Sequence, residues 1–177
     1  MDELAILRDQ VATERRHLAA VKKACRAALQ AGGGAQRLTD TCRAAASYLA
    51  FGARRLHAQD HAHCVLLRPR VPRGDTANHA LLDDLEQTLK QLQGALQSLE
   101  AAADPVAGIG AYLDFIDNVL ARRRHNLEHL FRTHYTIDDW RAASLVDADS
   151  ILDERERFAA VRAAFPAGFS PEDGPAG

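Results

Sequence analysis

Leucine recurs every three or four residues along one segment near the middle of the chain. The members of this leucine seam are Leu81, Leu82, Leu85, Leu89, Leu92, Leu96 and Leu99. Such spacing places apolar side chains on one face of an α-helix and does not match the alternation of a β-strand. The rest of the chain shows the same helical periodicity, and no segment alternates as a strand does. The sequence therefore predicts an all-α fold.

Turn and capping residues divide the helical pattern into four long helices. The predicted ranges are 2–30, 39–67, 76–103 and 111–133. Thr39 or Asp40 is the expected N-cap of the second helix, and Pro69 and Pro72 follow its end. Four long amphipathic helices joined by short connections are typical of an antiparallel four-helix bundle.

A fifth helix and a tail follow the predicted bundle. Thr136 and Asp139 have the spacing of a capping box, which predicts an additional C-terminal helix that covers one end of the bundle. The residues after Phe165 are rich in proline and glycine, a composition that favours disorder. We therefore expect one helical-bundle domain over residues 1–165 and a disordered tail over residues 166–177.

Charge and cysteine content limit the classes of function that fit the chain. The 177 residues carry a formal net charge of −2, which favours neither nucleic acid nor an anionic membrane surface. No apolar run approaches the roughly 20 residues of a membrane helix, and the acidic N-terminus does not match a signal peptide. Cys25, Cys42 and Cys64 match no CxxC motif, and a reducing compartment suits them. These features predict a cytoplasmic protein.

Eight histidines are the feature that points most directly to chemistry, because several share a helical face. His57 and His61 are four residues apart in the second helix, and His125 and His129 are four apart in the fourth. This spacing stacks two imidazoles on one face. Two such pairs on facing helices, with His17 on the first, provide ligand types that transition metals prefer. The histidines expected at the surface are His63, His79 and His134.

The order of these residues resembles that of the hemerythrin-like (HHE) domain. The matching segments are His17 on helix one, His57-Ala-Gln-Asp60-His61 on helix two, Leu85-Glu86-Gln87 on helix three and His125-Asn-Leu-Glu128-His129 on helix four. Two flanking segments are similar to those that follow the family's second and last bundle helices. They are LLRP at residues 66–69 and HYTIDDW at residues 134–140. The resemblance covers about residues 1–141.

The resemblance implies a four-helix bundle with a non-haem di-iron centre that binds or senses oxygen or nitric oxide, or that handles iron and oxidative stress. The implied ligands are His17, His57, Asp60, His61, His125 and His129. Histidine occupies both carboxylate positions of the family's HxxxE motifs. Bridging carboxylates would therefore have to come from Asp60, Glu86 or Glu128. An all-imidazole cluster instead suits a single zinc, copper, nickel or haem iron.

A helical-wheel projection supports a metal-free alternative. At about 100° per residue, His125 and His129 fall opposite the apolar stripe of the fourth helix, whereas Arg123 falls inside it. Glu14 and Asp60 lie within the stripes of the first and second helices. Since one arginine can satisfy two carboxylates, Glu14, Asp60 and Arg123 are predicted to form a buried ionic network. Such a bundle would act as an interaction or structural module, and a homodimer through exposed helix faces fits it.

One motif points to an enzyme of the carboxylate-bridged oxidase class. Glu14-Arg-Arg-His17 matches the Glu-x-x-His motif that a ferritin-like bundle needs on two helices. The sequence carries no second copy, no phosphate-binding glycine loop and no paired nucleophile and base. These absences favour a protein without catalytic activity.

Overall fold

The computed structural model describes residues 3–32, 34–120, 128–144 and 148–165, and within these ranges it contains helices and no strand. The seven α-helices of the described residues are α1 (Glu3–Ala31), α2 (Ala35–Leu67), α3 (Thr76–Ala101), α4 (Pro105–Phe115), α5 (Glu128–His134), α6 (Ile137–Ser144) and α7 (Ala148–Ala164). A π-helical segment, Ile116–Leu120, continues α4. The predicted all-α class is confirmed. The tail predicted over residues 166–177 lies outside the described residues.

Helix α2 lies at the centre of the packing and contacts all six other described α-helices. Its close approach to α1 depends on Gly52. A Cβ atom at this position would lie 2.8 Å from Cδ2 of Leu18, so only glycine fits without a shift of that side chain. The close approach brings side chains on α1 within reach of those on α2.

The leucine seam of α3 is buried as the sequence predicts. Its buried members are Leu82, Leu85, Leu89, Leu92, Leu96 and Leu99. The three cysteines are buried free thiols, and burial raises the pKa of Cys25 and of Cys64 to about 12. Thiols in this state are poor nucleophiles, which agrees with a packing role.

Helix α4 begins at Pro105, six residues before the predicted start at residue 111. The Oδ1 atom of Asp104 accepts hydrogen bonds from the backbone N–H groups of Val106, at 2.9 Å, and Ala107, at 3.4 Å. Proline at the first helical position completes this start signal. Gly108 therefore lies inside the helix and not in a turn. Its missing side chain leaves room for Ala102, whose Cβ would lie 2.7 Å from an added Cβ.

The predicted N-cap of α2 at Thr39 or Asp40 is wrong. The helix begins at Ala35 after Gly34, and the Thr39 hydroxyl donates to the carbonyl of Ala35 at 2.9 Å. This bond joins residue i to residue i−4, and serine and threonine form such bonds inside helices. Residues 39 and 40 have side chains suited to capping, but they lie within the first turns of the helix.

The single predicted fifth helix is two helices, α6 and α7, in the described residues. The capping box at the start of α6 is confirmed. The backbone N–H of Thr136 donates to Oδ2 of Asp139 at 2.7 Å, and the N–H of Asp139 donates to Oγ1 of Thr136 at 3.4 Å. Helix α7 packs against both α1 and α2. Its buried residues include Phe158, Val161 and Glu154, so α7 is part of the core.

None of the helices in the described ranges combines the length and the apolar character that crossing a membrane requires.

Candidate functional site: a buried polar cluster

A buried carboxylate joins three helices. Glu154 of α7 is only 3% exposed, and its Oε1 atom accepts a hydrogen bond from the Tyr48 hydroxyl on α2 at 2.5 Å. Nδ1 of His17 on α1 lies 2.9 Å from Oε1 and 3.2 Å from Oε2 of the same carboxylate. The imidazole of His17 also stacks on the ring of Phe158, with centroids 3.8 Å apart and an interplanar angle of 4°. These contacts fix the position of α7 against α1 and α2.

The groups around Glu154 determine which atoms of this site carry a proton. Burial by itself raises the pKa of Glu154, but the hydrogen bonds from His17 and Tyr48 and the charge of Arg55 bring it below its ordinary value. Burial raises the pKa of Tyr48, and the bond to this carboxylate raises it further, so the phenol keeps its proton and donates. Since an ionised carboxylate only accepts, Nδ1 of His17 is the protonated nitrogen. Nε2 is then the nitrogen left for a proton or another ligand.

A second buried carboxylate, Glu14 on α1, is held by an arginine of α2. Nη2 of Arg55 donates to Oε1 of Glu14 at 2.7 Å, and Nε donates to Oε2 at 3.2 Å. This two-bond geometry is the strong form of an arginine–carboxylate pair. The guanidinium of Arg55 also lies 5.6 Å from the ring centroid of Phe51. Glu14 therefore has its charge compensated inside the protein.

The third carboxylate of the cluster, Asp60 on α2, lies farther from its arginine than Glu14 does. Nη2 of Arg15 lies 3.4 Å from Oδ1 of Asp60 and donates to Oε1 of Gln59 at 3.3 Å. Burial raises the pKa of Asp60 to about 6, and the charge of Arg15 offsets only part of that effect. Burial also lowers the pKa of Arg15. Both partners thus carry a desolvation cost, as expected for an ion pair at this depth.

The spacing along each helix explains why these groups meet. Tyr48, Gly52, Arg55 and Gln59 follow one another by four, three and four residues, which puts them on one face of α2. Gly52 lets α1 approach at the middle of that face. We call the set assembled there the polar cluster. Its members are Glu14, Arg15, His17, Tyr48, Arg55, Gln59, Asp60 and Glu154.

The predicted ionic network is present in part. Glu14 and Asp60 are buried, as the helical wheel indicates. Among the described residues, Arg55 pairs with Glu14 and Arg15 pairs with Asp60. The partner that the sequence suggested, Arg123, lies outside the described residues.

The predicted metal ligands within the described residues differ in their burial and in their contacts. His17 faces α7, and His57 is half-buried, where burial and the neighbouring His61 lower its pKa. His61 is exposed. Nε2 of His129, also exposed, lies 2.9 Å from Oδ1 of Asn78. His125 lies outside the described residues.

Over residues 3–32, 34–120, 128–144 and 148–165, no three histidine, cysteine, aspartate or glutamate side chains are grouped to hold a metal ion. Asp60 is the carboxylate in the predicted ligand set, and it pairs with Arg15. The six-residue ligand set therefore stays a prediction that includes His125.

His63 is buried, so the expectation that it lies at the surface is wrong. Only 4% of the residue is exposed, and its Nδ1 lies 2.6 Å from the Tyr135 hydroxyl. The rings of Phe131, Tyr135 and Trp140 surround it, with centroids 4.9, 5.5 and 5.7 Å away. We call these four side chains the aromatic cluster. It connects α2 to α5 and α6.

Tyr48, Arg55 and Glu154 are functional candidates that sequence reasoning missed. A signal for Glu154 was present, since Glu154, Phe158, Val161 and Phe165 recur at the spacing of one helical face. All four are buried. An acidic residue within such a stripe predicts a buried charge, which must find a partner.

Comparisons of the chain with family models, with curated proteins and with solved structures find no match.

Proposed function

We propose that the chain is a helical module of the structural or protein-interaction class that folds without a metal. In this proposal α1 to α4 form an antiparallel four-helix bundle, and α7 docks on it through the polar cluster. One observation carries the proposal: each buried carboxylate of the cluster has a cationic, imidazole or hydroxyl partner within the protein.

The chemistry of the donors supports a metal-independent interior. A carboxylate that bridges two metals must present free oxygen lone pairs to them. Both oxygens of Glu14 accept from Arg55, and both oxygens of Glu154 contact His17. Exchanging these bonds for metal bonds would remove two hydrogen bonds from the partly exposed Arg55 guanidinium, which is costly.

Metal analysis of freshly purified full-length chain tests this proposal. After growth in medium supplemented with iron and zinc, we expect far less than one metal ion per chain, together with a cooperative unfolding transition. Light scattering on the same sample measures whether the chain is the homodimer that the exposed helix faces suggest. A stoichiometric content of iron or zinc would overturn the metal-independent function.

A hemerythrin-like metal protein is the second candidate, and two observations favour it. The Nδ1 atom of His17 is held by the buried Glu154 carboxylate, an arrangement that orients metal-binding imidazoles in many proteins and leaves Nε2 for the metal. The π-helical segment Ile116–Leu120 also ends five residues before His125 in the sequence. Single-turn π-helices are frequent at functional sites. By its resemblance, such a centre would bind iron and a small diatomic ligand.

Two variants distinguish the candidates. Replacing His57 and His61 together by alanine removes two implied ligands, whereas His79→Ala removes a histidine that neither candidate uses. A hemerythrin-like protein loses its iron in the first variant and keeps it in the second. For the metal-independent module, metal content is equally low in both variants and in the parent chain.

A further inference from the structure

The aromatic cluster contains a phenol and a neutral imidazole in direct contact. The Tyr135 hydroxyl lies 2.6 Å from Nδ1 of His63, and its next contact, the carbonyl oxygen of His63, is at 3.5 Å. Because Nδ1 is much the closer of these two acceptors, we assign the phenol as donor and Nδ1 of a neutral ring as acceptor.

The surroundings keep this proton on the phenol in the resting state. Burial raises the pKa of Tyr135, and the charge of Asp139 raises it further, whereas Arg70 lowers it. A tyrosine with a raised pKa does not lose its proton alone at neutral pH. Loss of an electron changes this, because an oxidised phenol is a very strong acid and gives its proton to a base already in place.

The cluster also offers a route for an electron to the surface. The ring of Trp140 meets the ring of Tyr135 edge-on, with centroids 5.1 Å apart and an interplanar angle of 83°. Both residues are partly exposed, whereas His63 is buried. The base is thus shielded from water, whereas the two oxidisable residues are partly exposed.

We propose that Tyr135 and His63 form a proton-coupled one-electron donor, with Trp140 as its relay to small radical oxidants in solution. The oxidant, of the class of nitrogen dioxide or peroxyl radicals, takes one electron from Trp140. The oxidised Trp140 then takes one electron from Tyr135. The phenolic proton moves to Nδ1 of His63 along the existing hydrogen bond. The products are the reduced oxidant, a neutral tyrosyl radical and an imidazolium. This activity does not depend on the metal-independent function.

Flash photolysis of the full-length chain tests the proposal. The probe is ruthenium tris-bipyridine, oxidised to ruthenium(III) by light and persulfate, and the readouts are tyrosyl absorption and electron paramagnetic resonance. We expect Tyr135→Phe to remove most of the tyrosyl signal. The matched control is Tyr112→Phe, which alters a buried tyrosine whose pKa is raised by burial alone and should leave the signal intact. Equal signals in the two variants, or no tyrosyl radical in the parent chain, would overturn the proposal.

The role of His63 has its own readout. We expect radical formation in the parent chain to slow in deuterium oxide and His63→Gln to slow it about tenfold, the rate equivalent of one net hydrogen bond. Circular dichroism establishes whether this variant folds. If it does not, the isotope effect of the parent chain decides alone. Rates that are equal in the two solvents show that the proton does not move with the electron and overturn the assignment of His63.

Discussion

The hydroxyl of Tyr48 and the carboxylate of Glu154 are 106 residues apart in the chain and 2.5 Å apart in space. Both residues are buried, with 3% of each exposed. A short bond from a hydroxyl to an ionised carboxylate in a dry interior is among the stronger hydrogen bonds in proteins. The C-terminal helix α7 is therefore attached to the centre of the molecule by a polar contact as well as by Phe158 and Val161.

Removing this hydroxyl should loosen α7. We expect Tyr48→Phe to lower the free energy of unfolding by about 2 kcal/mol, because the bond is lost and Glu154 stays buried with one donor fewer. Tyr112→Phe is the matched control, since both positions are buried tyrosines, and we expect a change below about 0.5 kcal/mol there. Urea unfolding measures both. Equal losses in the two variants would show that the Tyr48–Glu154 bond has no special role.

The closeness of α1 and α2 at Gly52 gives a second prediction. Gly52→Ala should destabilise the fold by about 2 kcal/mol, because its Cβ would overlap Leu18 at 2.8 Å and separate the helices that hold the polar cluster. Gly94→Ala on α3 is the control. No atom lies within 4 Å of a Cβ at residue 94, so alanine should stabilise that helix by about 0.5 kcal/mol. Thermal unfolding of both variants checks the opposite signs.

Asp60 should make stability depend on pH. Burial raises the pKa of Asp60 to about 6 from 3.8, so its contribution to stability is complete below 3.8 and is lost as the pH rises through about 6. Asp60→Asn cannot ionise. Relative to the parent chain, this variant should gain on the order of 2 kcal/mol between about pH 4 and pH 7. Asp153→Asn, which alters a half-exposed carboxylate, is the control. Parallel curves for Asp60→Asn and the parent would contradict the burial of this charge.

His63 should make the free energy of unfolding change with pH in the opposite direction. Burial lowers the pKa of His63 to about 4 from 6.5, so its contribution is complete above 6.5 and is lost as the pH falls through about 4. Between about pH 4 and pH 6 the slopes of Asp60 and His63 oppose each other, so the parent chain should be flatter than either variant. Denaturant unfolding of His63→Gln at several pH values measures this. Exposed His61, replaced by Gln, is the control. A His63→Gln curve that stays parallel to the parent would contradict the neutral, buried imidazole.

Much of the fold follows from local signals in the sequence. The leucine seam places α3, and proline ends α2 where predicted. The predicted start of α4 at residue 111 is wrong because glycines at positions 108 and 110 are typical of turns, whereas Asp104 and Pro105 form a complete helix start. Local capping chemistry therefore outweighs the low helix propensity of two glycines, one of which is needed for a close contact.

The polar cluster could be predicted only in part. The helical wheel places Glu14 and Asp60 in the interior, since that depends on the spacing along one helix. Their partners depend on how two helices are rotated and offset, and a wheel of one helix carries no such information. Arg55 and Arg15 therefore could not be identified as partners from the sequence, and the predicted partner Arg123 lies outside the described residues. Glu154 could have been found from its position in the stripe of Phe158 and Val161.

The most direct test of a metal-independent interior is the free energy of unfolding of chelator-treated chain, measured with and without added Fe(II) or Zn(II). We expect the same value in all three conditions, because the carboxylates of the polar cluster already have partners in the protein. A bound metal would instead stabilise the fold, by about 2.7 kcal/mol when the free ion is a hundredfold above its Kd. A gain of that size, lost when His57 and His61 are replaced by alanine, would contradict the proposed function.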